Sequence, residues 1–275
     1  MKFIKQSFES INEPTYTRQI EKCGRVCYKS ESKIAPGTDT AFVQMLIKRE
    51  HTAMLEHGTI YLFITEDRPE FNELVMRYQS NKYSAVVIQP YQSYTHESGI
   101  RLIKAAYITT NFRVMLEHKY ATDLLFACEP TCYHYKRVTI KFICSRQVSH
   151  QFVRHRVFSF AQESTQYCNY SLGRFGSEIT FIEPSWYSNS SFMVKALFKG
   201  YLHITEWLYM FLLKALKKPH LAAAILPNIT KTELCMTGFT DDWLEFINLR
   251  AKDDNISQTY ELIQDMNKNL NYLFI

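Results

Sequence analysis

The stretch of the sequence best suited to chemistry is SHQFVRHRVFSFAQESTQY, from Ser149 to Tyr167. It sets Arg154, His155 and Arg156 side by side between apolar residues. Guanidinium groups are planar, permanently charged donors that suit phosphates, carboxylates and the carbonyl edges of heterocycles. Two of them beside an imidazole could hold a flat, electron-rich ligand, although an isolated triplet of this kind is more often a solvated basic surface.

Positive charge is also concentrated in this part of the chain. The whole chain has a net charge of +5, while residues 131–175 contain seven basic residues and one acidic residue, Glu163, a balance of +6. The remainder of the chain is therefore nearly balanced. We expect an anionic ligand to bind to segment 131–175.

The triplet belongs to a longer pattern, in which Arg154-His155-Arg156 is followed by seven residues and then Ser164. This pattern resembles the RHR-x7-S signature of flavin-dependent thymidylate synthases (the ThyX family). Three further blocks resemble that family in the same order along the chain, namely EHTAMLEHGTIYLF, AAAILPN and WLEFINLRAKDDNISQ. The resemblance extends from about Arg25 to Gln258, which is most of the chain.

The resemblance implies a methyltransferase that converts dUMP to dTMP by reductive methylation. Methylenetetrahydrofolate would donate the carbon unit, and FAD reduced by NADPH would supply the hydride. The protein would then be a cytoplasmic flavoprotein of nucleotide biosynthesis, and a homotetramer whose active sites draw residues from several subunits. Its partners would be these small molecules, with no membrane.

The same resemblance assigns roles to individual residues. Arg250 and Arg154 match the catalytic arginines, and a cation beside the ring carbonyls would favour the electron-rich form of uracil. The residues expected to bind the substrate are Gln151, Arg154, Gln162, Glu163, Ser164, Thr165, Gln166 and Arg250. Those expected to bind the flavin are His51, Arg154, His155, Arg156 and Gln162. No metal site is expected.

Two of these assignments have a structural alternative. Ser164 could bind the phosphate or ribose through its hydroxyl, or could make an ordinary structural hydrogen bond. No Ser-His-acid spacing supports it as a nucleophile. The resemblance places His51 near the flavin and leaves His57 as a lesser candidate, but either histidine could instead cap a helix or lie in the core.

Two arginines that the family uses to bind the nucleotide phosphate are missing. Gln166 and Ala223 stand at their positions. A hydrogen bond to a charged group contributes about 1.5 to 3 kcal/mol, so losing two without replacement could weaken dUMP binding by roughly a hundredfold to ten-thousandfold. Lys231, Arg146 and Arg174 are the candidates to replace them.

The elements that must position these residues can be read from periodicity. TDTAFVQMLIKREH predicts a helix ending near His51, and GTIYLFIT predicts a following strand buried on both faces. RVTIKFICS predicts a strand that leads into a short helix carrying the basic triplet at its end. SSFMVKALFKGYLHITEWLYMFLLKALKKP predicts a long amphipathic helix stopped by Pro219, and TKTELCMTGF a strand before a helix that reaches Arg250. The long helix suits an oligomer interface or an internal core equally.

Helices and strands without regular alternation indicate the α+β class. The resemblance implies the ThyX-like form of it, a central mixed or antiparallel sheet flanked by long helices. With 275 residues, 46% hydrophobic, and only eight Gly and eight Pro, the chain has no linker-like segment, so we predict a single domain over 1–275. Neither a signal peptide nor a membrane span is apparent, and the seven cysteines are expected to be reduced in the cytoplasm.

Two other functions fit the same residues. The first is a relative with an altered phosphate pocket that acts on another uridine derivative. The second is a nucleic-acid-binding protein that would use the basic segment with Phe152, Phe158, Phe160 and Tyr167 as stacking surfaces. No RNA-binding fold signature accompanies those aromatic residues, so nucleic acid is not the expected partner.

Overall fold

The computed structural model describes residues 1–95, 99–164, 168–173, 176–252 and 257–274. Its contacts divide the chain into two compact units. The first unit comprises Met1–Ile11, Lys22–Ile34 and Thr139–Ile275, and the second comprises Asn12–Glu21 and Ala35–Val138. The predicted single domain over 1–275 stays a prediction.

A four-stranded sheet forms the centre of the first unit, in the order β2-β6-β9-β7. Its strands are β2 (Ser7–Ile11), β6 (Arg137–Ser145), β9 (Lys231–Phe239) and β7 (Ser159–Gln162). The β2/β6 and β7/β9 pairs are antiparallel. A separate parallel pair joins β1 (Lys2–Ile4) to β8 (Thr180–Ile182).

Within the described residues, the helices that belong wholly to the first unit are α5 (Arg146–Phe152), α6 (Phe192–Leu216), α7 (Pro219–Ala222), α8 (Thr240–Arg250) and α9 (Ser257–Leu270). Short 3-10 helices cover Glu31–Lys33, Ala223–Ile225 and Asn271–Leu273. Helix α1 (Tyr16–Tyr28) contributes residues to both units.

Aromatic side chains join the sheet to α5 and α8. The rings of Phe142 and Phe152 meet edge to face at 5.0 Å, and those of Phe152 and Phe246 at 5.1 Å. Trp243 is fully buried and contacts Phe158 at 4.7 Å. These contacts fix the ends of α5 and α8 against one core, because aromatic pairs combine large buried area with a preferred geometry.

The second unit is built on a three-stranded antiparallel sheet in the order β3-β5-β4. The strands are β3 (Thr59–Thr65), β4 (Ala85–Thr95) and β5 (Gly99–Asn111), and the helices are α2 (Thr38–Lys48), α3 (Phe71–Gln79) and α4 (Phe112–Glu117). Short 3-10 helices cover Thr52–His57 and Ala121–Phe126. The core contains Leu62, Tyr78, Ile108 and Met115.

Strand β3 differs from its prediction. Ile60, Leu62 and Ile64 are buried, but the alternate residues, among them Tyr61 and Phe63, are only partly buried. The second face is covered by neighbouring rings rather than by a second layer, since Phe63 contacts Tyr91 and Tyr107 at 5.3 and 5.2 Å. An unbroken apolar run therefore did not require burial on both faces.

The predicted α+β class is confirmed, with the strands divided among sheets of two, four and three strands. The long helix is present as α6 and ends at Leu216, where Lys217 adopts a left-handed conformation with φ 55° shortly before Pro219. Within the described residues, no helix has the length and apolar character needed to cross a membrane.

Candidate active site

Helix α5 positions the basic triplet. Ser145 ends β6 and its Oγ accepts a hydrogen bond from the N–H of Val148 at 3.2 Å, which caps the helix. Val148 and Phe152 are fully buried, so one face of the helix is fixed in the core. The helix ends at Phe152, before the triplet that was predicted at its end, and Val153 faces solvent instead of sharing the predicted buried face.

The triplet itself lies on a turn between α5 and β7. The N–H of His155 donates to the Phe152 carbonyl at 3.0 Å, and the N–H of Phe158 donates to the His155 carbonyl at 3.2 Å. Arg154 and Arg156 are exposed, whereas His155 is partly buried. The turn therefore directs two guanidinium groups to solvent and the imidazole towards the protein.

Arg250, the last residue of α8, contacts both α5 and this turn. Its Nε donates to Nε2 of His155 at 2.9 Å, and its Nη2 donates to the backbone carbonyl of Gln151 at 3.1 Å. The ring of His155 also packs edge to face on Phe246 at 4.8 Å. Because Nε2 accepts, the neutral imidazole carries its proton on Nδ1. The structure thus brings together three of the residues that the sequence selected, although they are separated by almost 100 positions in the chain.

The electrostatics of this cluster are those of adjacent cations. Burial and the charge of Arg250 lower the pKa of His155. Burial and the charge of Arg154 lower the pKa of Arg250. Within the part of the chain that the structure describes, Arg154 and Arg156 form no salt bridge. A bound anion would relieve the repulsion among these groups.

The contact between Arg250 and His155 leads to a testable result. Replacing Arg250 with glutamine is expected to raise the pKa of His155, because a nearby positive charge no longer opposes protonation; burial should still hold it below the ordinary value. An NMR titration of the ring protons measures this pKa. A midpoint in Arg250→Gln equal to that in the wild type would contradict the described electrostatics.

The lowered pKa of His155 also fixes a pH dependence. Its value in the folded chain lies below its ordinary value of 6.5, so the unfolded chain binds the proton more readily. The contribution of His155 to stability is therefore complete above pH 6.5, and it is lost as the pH falls from 6.5 through the lowered pKa of the folded chain.

Gln151 is oriented by a residue that sequence reasoning missed. Thr259, fully buried in α9, donates from its Oγ1 to Oε1 of Gln151 at 2.8 Å. With Oε1 occupied, Nε2 of Gln151 remains as a donor, and among the described residues no partner takes it up. Thr259 directly follows the last family-like block, which ends at Gln258, but no local sequence pattern connects it to Gln151.

Gln162 has the contacts of a structural residue. Its Nε2 donates to Oγ of Ser149 at 2.9 Å and to Oγ1 of Thr232 at 3.2 Å. Both donor positions of the amide are thereby used, and they tie β7 to α5 and β9. Any contact of Gln162 with substrate or flavin is left to its Oε1.

Glu163 lies in a buried ionic cluster. Its side chain accepts from Nζ of Lys231 at 2.7 Å and from the hydroxyl of Tyr170 at 3.4 Å, and the residue is 2% exposed. Lys231 also donates to Glu233 at 2.5 Å. Lys231 is thus held by two carboxylates, which makes it unsuitable as the phosphate-binding replacement considered from the sequence.

Two further lysines complete this ionic cluster, which consists of Glu163, Glu233, Lys231, Lys29 and Lys141. Lys29 contacts Oε1 of Glu233, and Lys141 lies 3.1 Å from its Oε2. Burial acts to raise the pKa of Glu233, but the three lysines overcome it and lower the pKa to about 2. The cluster stabilises the sheet rather than offering a free charge to a ligand.

The remaining predicted residues are only partly described. The N–H of Ser164 donates to the Cys27 carbonyl at 3.4 Å. Thr165, Gln166 and Arg174 lie outside the described residues. The predicted substrate contacts of Gln162, Glu163, Ser164, Thr165 and Gln166 stay predictions.

Arg146 is the replacement candidate with a suitable environment. It is the first residue of α5, is partly buried, and forms no salt bridge within the described ranges. Burial raises the pKa of the Tyr170 hydroxyl, and the positive charge of Arg146 acts in the opposite direction. Ala223 follows the buried Ala222 at the end of α7 and supplies no polar group.

The two histidines before β3 belong to the second unit. His51 is partly buried, and its backbone N–H donates to the Leu46 carbonyl at 2.9 Å. His57 is fully buried, which favours the core interpretation for this residue. The predicted flavin contact of His51 stays a prediction. In the described part of the chain, no three His, Cys, Asp or Glu side chains are grouped to hold a metal ion.

This chain is similar to known proteins over the region that contains the cationic cluster. A family model described as "Thymidylate synthase complementing protein" matches residues 75–274. The flavin-dependent thymidylate synthase of Corynebacterium efficiens is 28% identical over 124 residues, covering 40% of this chain and 47% of the relative. That of Corynebacterium aurimucosum is 29% identical over 126 residues, covering 43% and 51%. The chain therefore spans about half the length of these curated relatives.

Solved structures similar to this chain include the UMP/dUMP methylase PolB from Streptomyces cacaoi. The form bound with 5-Br dUMP has a TM-score of 0.45 and 13% identity, covering 99% of this chain and 93% of that chain. The form bound with 5-Br UMP has a TM-score of 0.45 and 12% identity, with 99% and 92% coverage.

The family model includes β4 and β5, the basic triplet and the whole of α8 and α9, and it covers more than half of the chain. The resemblance noted in the sequence is thereby confirmed. The chain belongs to the thymidylate synthase complementing protein family.

Proposed function

We propose that this protein is a flavin-dependent thymidylate synthase, which converts dUMP to dTMP with methylenetetrahydrofolate as the carbon donor. Family membership and the names of the curated relatives support this reaction. The observation that carries it is the contact of Arg250 with His155, 2.9 Å apart, beside the charge of Arg154. This contact brings residues of two helices and a turn together at one cationic site.

Arg250 and Arg154 act on the pyrimidine in this proposal. Carbon five of uracil is a weak nucleophile, and positive charge at the ring carbonyls favours the electron-rich form of the ring. Nε2 of Gln151 is a further donor for a ring carbonyl, since Thr259 fixes the opposite end of the amide. Glu163 and Gln162 then act mainly by holding β7 in place.

The donors also fit a flavin. Arg154 and Arg156 are exposed cations without salt bridges in the described residues, and His155 presents a partly buried neutral ring. Positive charge of this kind favours an anionic, electron-rich ring system. When bound, FAD reduced by NADPH supplies the hydride. Arg154, His155 and Arg156 would bind and orient it, and Gln162 could contribute through Oε1. The flavin contact of His51 is proposed from the family resemblance alone.

Arg146 is the proposed phosphate contact in place of Gln166 and Ala223. Its partial burial and its position at the start of α5 support this role. Replacing Arg146 with alanine is expected to weaken dUMP binding about 10- to 150-fold, because a hydrogen bond to a charged group contributes about 1.5 to 3 kcal/mol. Equilibrium binding of dUMP to the flavin-loaded protein measures the change.

Deoxyuridine, which lacks the phosphate, is the matched ligand for this experiment. Deoxyuridine should bind more weakly than dUMP to the wild type, and its dissociation constant should be the same for the wild type and for Arg146→Ala. Equal losses for dUMP and deoxyuridine would assign Arg146 a structural role, and no loss for dUMP would remove it from the site.

The remaining features are proposed from family membership: NADPH as the reductant, the cytoplasm as the compartment, and a homotetramer with shared active sites. The direct test is NADPH oxidation by the purified, FAD-loaded protein. Oxidation should accelerate when dUMP is added together with methylenetetrahydrofolate. Failure to bind FAD would overturn the proposal, and acceleration by another uridine nucleotide but not by dUMP would replace it with the altered-pocket alternative.

A further inference from the structure

Helix α6 has apolar residues on two opposite faces. The inner face packs Leu202, Tyr209 and Leu213 in a core with Tyr170 and Phe181. The opposite face carries a seam of exposed residues: Met193, Leu197, Gly200, Ile204, Trp207 and Phe211. The five large members of the seam are 70%, 71%, 66%, 65% and 56% exposed, in chain order.

The seam has the spacing of a helix–helix interface. Its members follow one another in alternate steps of four and three residues along a continuous helix. A sustained alternation of this kind places one apolar stripe along a partner helix, as in coiled coils. An ordinary surface helix has one such stripe, facing its own core, so the second stripe indicates a second packing partner.

The area of the seam is large for a monomer. Summed over the seam and the neighbouring Phe192 and Tyr201, the exposed apolar surface is roughly 800 Å², since an aromatic side chain presents about 150–250 Å². Monomeric proteins rarely expose a continuous apolar patch above about 600 Å². A standard protein–protein interface takes about 800 Å² from each partner.

The order of the seam residues favours a second copy of the same chain. When the helix is reversed about the level of residue 202, Met193 falls opposite Phe211, Leu197 opposite Trp207, and Gly200 opposite Ile204. Every member therefore meets another member, and the smallest residue meets a β-branched one. Antiparallel packing about a two-fold axis has this self-complementary property.

Gly200 supports this arrangement independently. A glycine in the middle of a helix costs about 1 kcal/mol relative to alanine. Its own chain does not require the missing side chain, because a Cβ built there meets nothing within 4 Å. A closely approaching Ile204 of a second copy would use the space, as small and large residues interdigitate at packed helix interfaces.

The charges flanking the seam permit the same pairing. Lys195 and Lys199 border its first half and Lys214 lies near its end. In the reversed arrangement these lysines fall at the levels of residues 209, 205 and 190, so none is set against another lysine. Like charges therefore do not oppose this register.

We propose that two copies of this protein associate by packing the α6 seams antiparallel, centred at the level of residue 202. The association concerns a surface formed by α6 alone and does not depend on the proposed methylation chemistry. It supplies one specific contact for a homo-oligomer.

Sedimentation velocity of the flavin-loaded full chain tests the surface. Ile204→Glu is expected to weaken self-association at least 100-fold, because it buries a charge at the centre of the seam. Lys199→Glu, an exposed charge change on the same helix outside the seam, should sediment like the wild type. A monomeric wild type, or an Ile204→Glu variant that sediments as the wild type does, would overturn the proposal; so would seam-dependent binding of a monomer to lipid vesicles.

Cysteine cross-linking tests the antiparallel register. In a Cys132→Ser background, which removes an exposed thiol, Ile204→Cys should be joined to its mate by a short bis-maleimide, because the two residues lie about 6 Å apart along the axis at 1.5 Å per residue. Phe192→Cys should not be joined, since its mate would lie about 30 Å away along the axis. Cross-linking of both variants would indicate parallel packing and overturn the register.

Discussion

Arg250→Ala is expected to lower the rate of dTMP formation by roughly 100- to 1,000-fold, the range associated with removing a charged or hydrogen-bonding group that stabilises charge at a reacting centre. Arg250 contacts His155 and the Gln151 carbonyl, so the substitution removes both the cation and the contact between α8 and the turn. It leaves the buried faces of α8 unchanged, because Trp243, Phe246 and Ile247 supply them. The measurement is kcat at saturating dUMP, with the unfolding free energy determined in parallel.

Lys268→Ala is the matched control for this variant. Lys268 is also a basic residue in the last turn of a helix of the first unit, and it is exposed. The activity of Lys268→Ala should equal that of the wild type. Arg250→Lys should recover only part of the lost activity, because lysine keeps the charge but not the planar fork that contacts His155 and Gln151 together. Full activity in Arg250→Ala would refute the assigned role.

Lys231→Met is expected to lower the free energy of unfolding by about 3 to 5 kcal/mol, the usual consequence of removing one partner of a buried ion pair. Lys231 is held by Glu163 at 2.7 Å and by Glu233 at 2.5 Å, and both carboxylates are nearly inaccessible to solvent. Methionine has a similar length, so the loss should come from uncompensated charge rather than from a cavity. Urea unfolding followed by circular dichroism measures it.

The second substitution Glu163→Gln, added to Lys231→Met, should restore part of the stability, because it neutralises the carboxylate that loses its lysine partner, whereas Glu233 keeps Lys29 and Lys141. Strictly additive losses in this double-mutant cycle would show that Lys231 and Glu163 do not interact energetically. Lys268→Met, on the exposed surface of α9, should change the unfolding free energy by no more than about 0.5 kcal/mol.

The ionic cluster also determines how stability changes with pH. The pKa of Glu233 is lowered from 4.5 to about 2, so its contribution is complete above the unfolded value and is lost as the pH falls from 4.5 towards 2. Burial acts to lower the pKa of Lys231, but the charges of Glu163 and Glu233 outweigh it and raise the pKa above 10.5. Its contribution is complete below 10.5 and is lost as the pH rises through the raised pKa.

Much of the frame that positions the candidate site could be predicted from local sequence. The strand before Ser145, the helix with buried Val148 and Phe152, and the helix ending at Arg250 all have periodic patterns that depend only on near neighbours. That Arg250 belongs with the basic triplet came from the family resemblance, because no local pattern joins residues so far apart in the chain.

The parts that could not be predicted depend on contacts distant in sequence. Glu163 and Lys231 were both candidates for ligand binding, and no local pattern showed that they form a salt bridge with each other. Thr259 orients Gln151 from another helix. Helix α6 shows a different difficulty, since apolar residues on both faces do not reveal which face meets the core and which remains exposed.

Release of tritium from dUMP labelled at carbon five tests the central claim most directly, since replacing that hydrogen is the chemistry assigned to the cationic cluster. The FAD-loaded protein, supplied with NADPH and methylenetetrahydrofolate, is expected to release tritium in step with dTMP formation, and Arg250→Ala is expected to release almost none. Absence of release by the wild-type protein, or equal release by wild type and Arg250→Ala, would contradict the proposed function of this site.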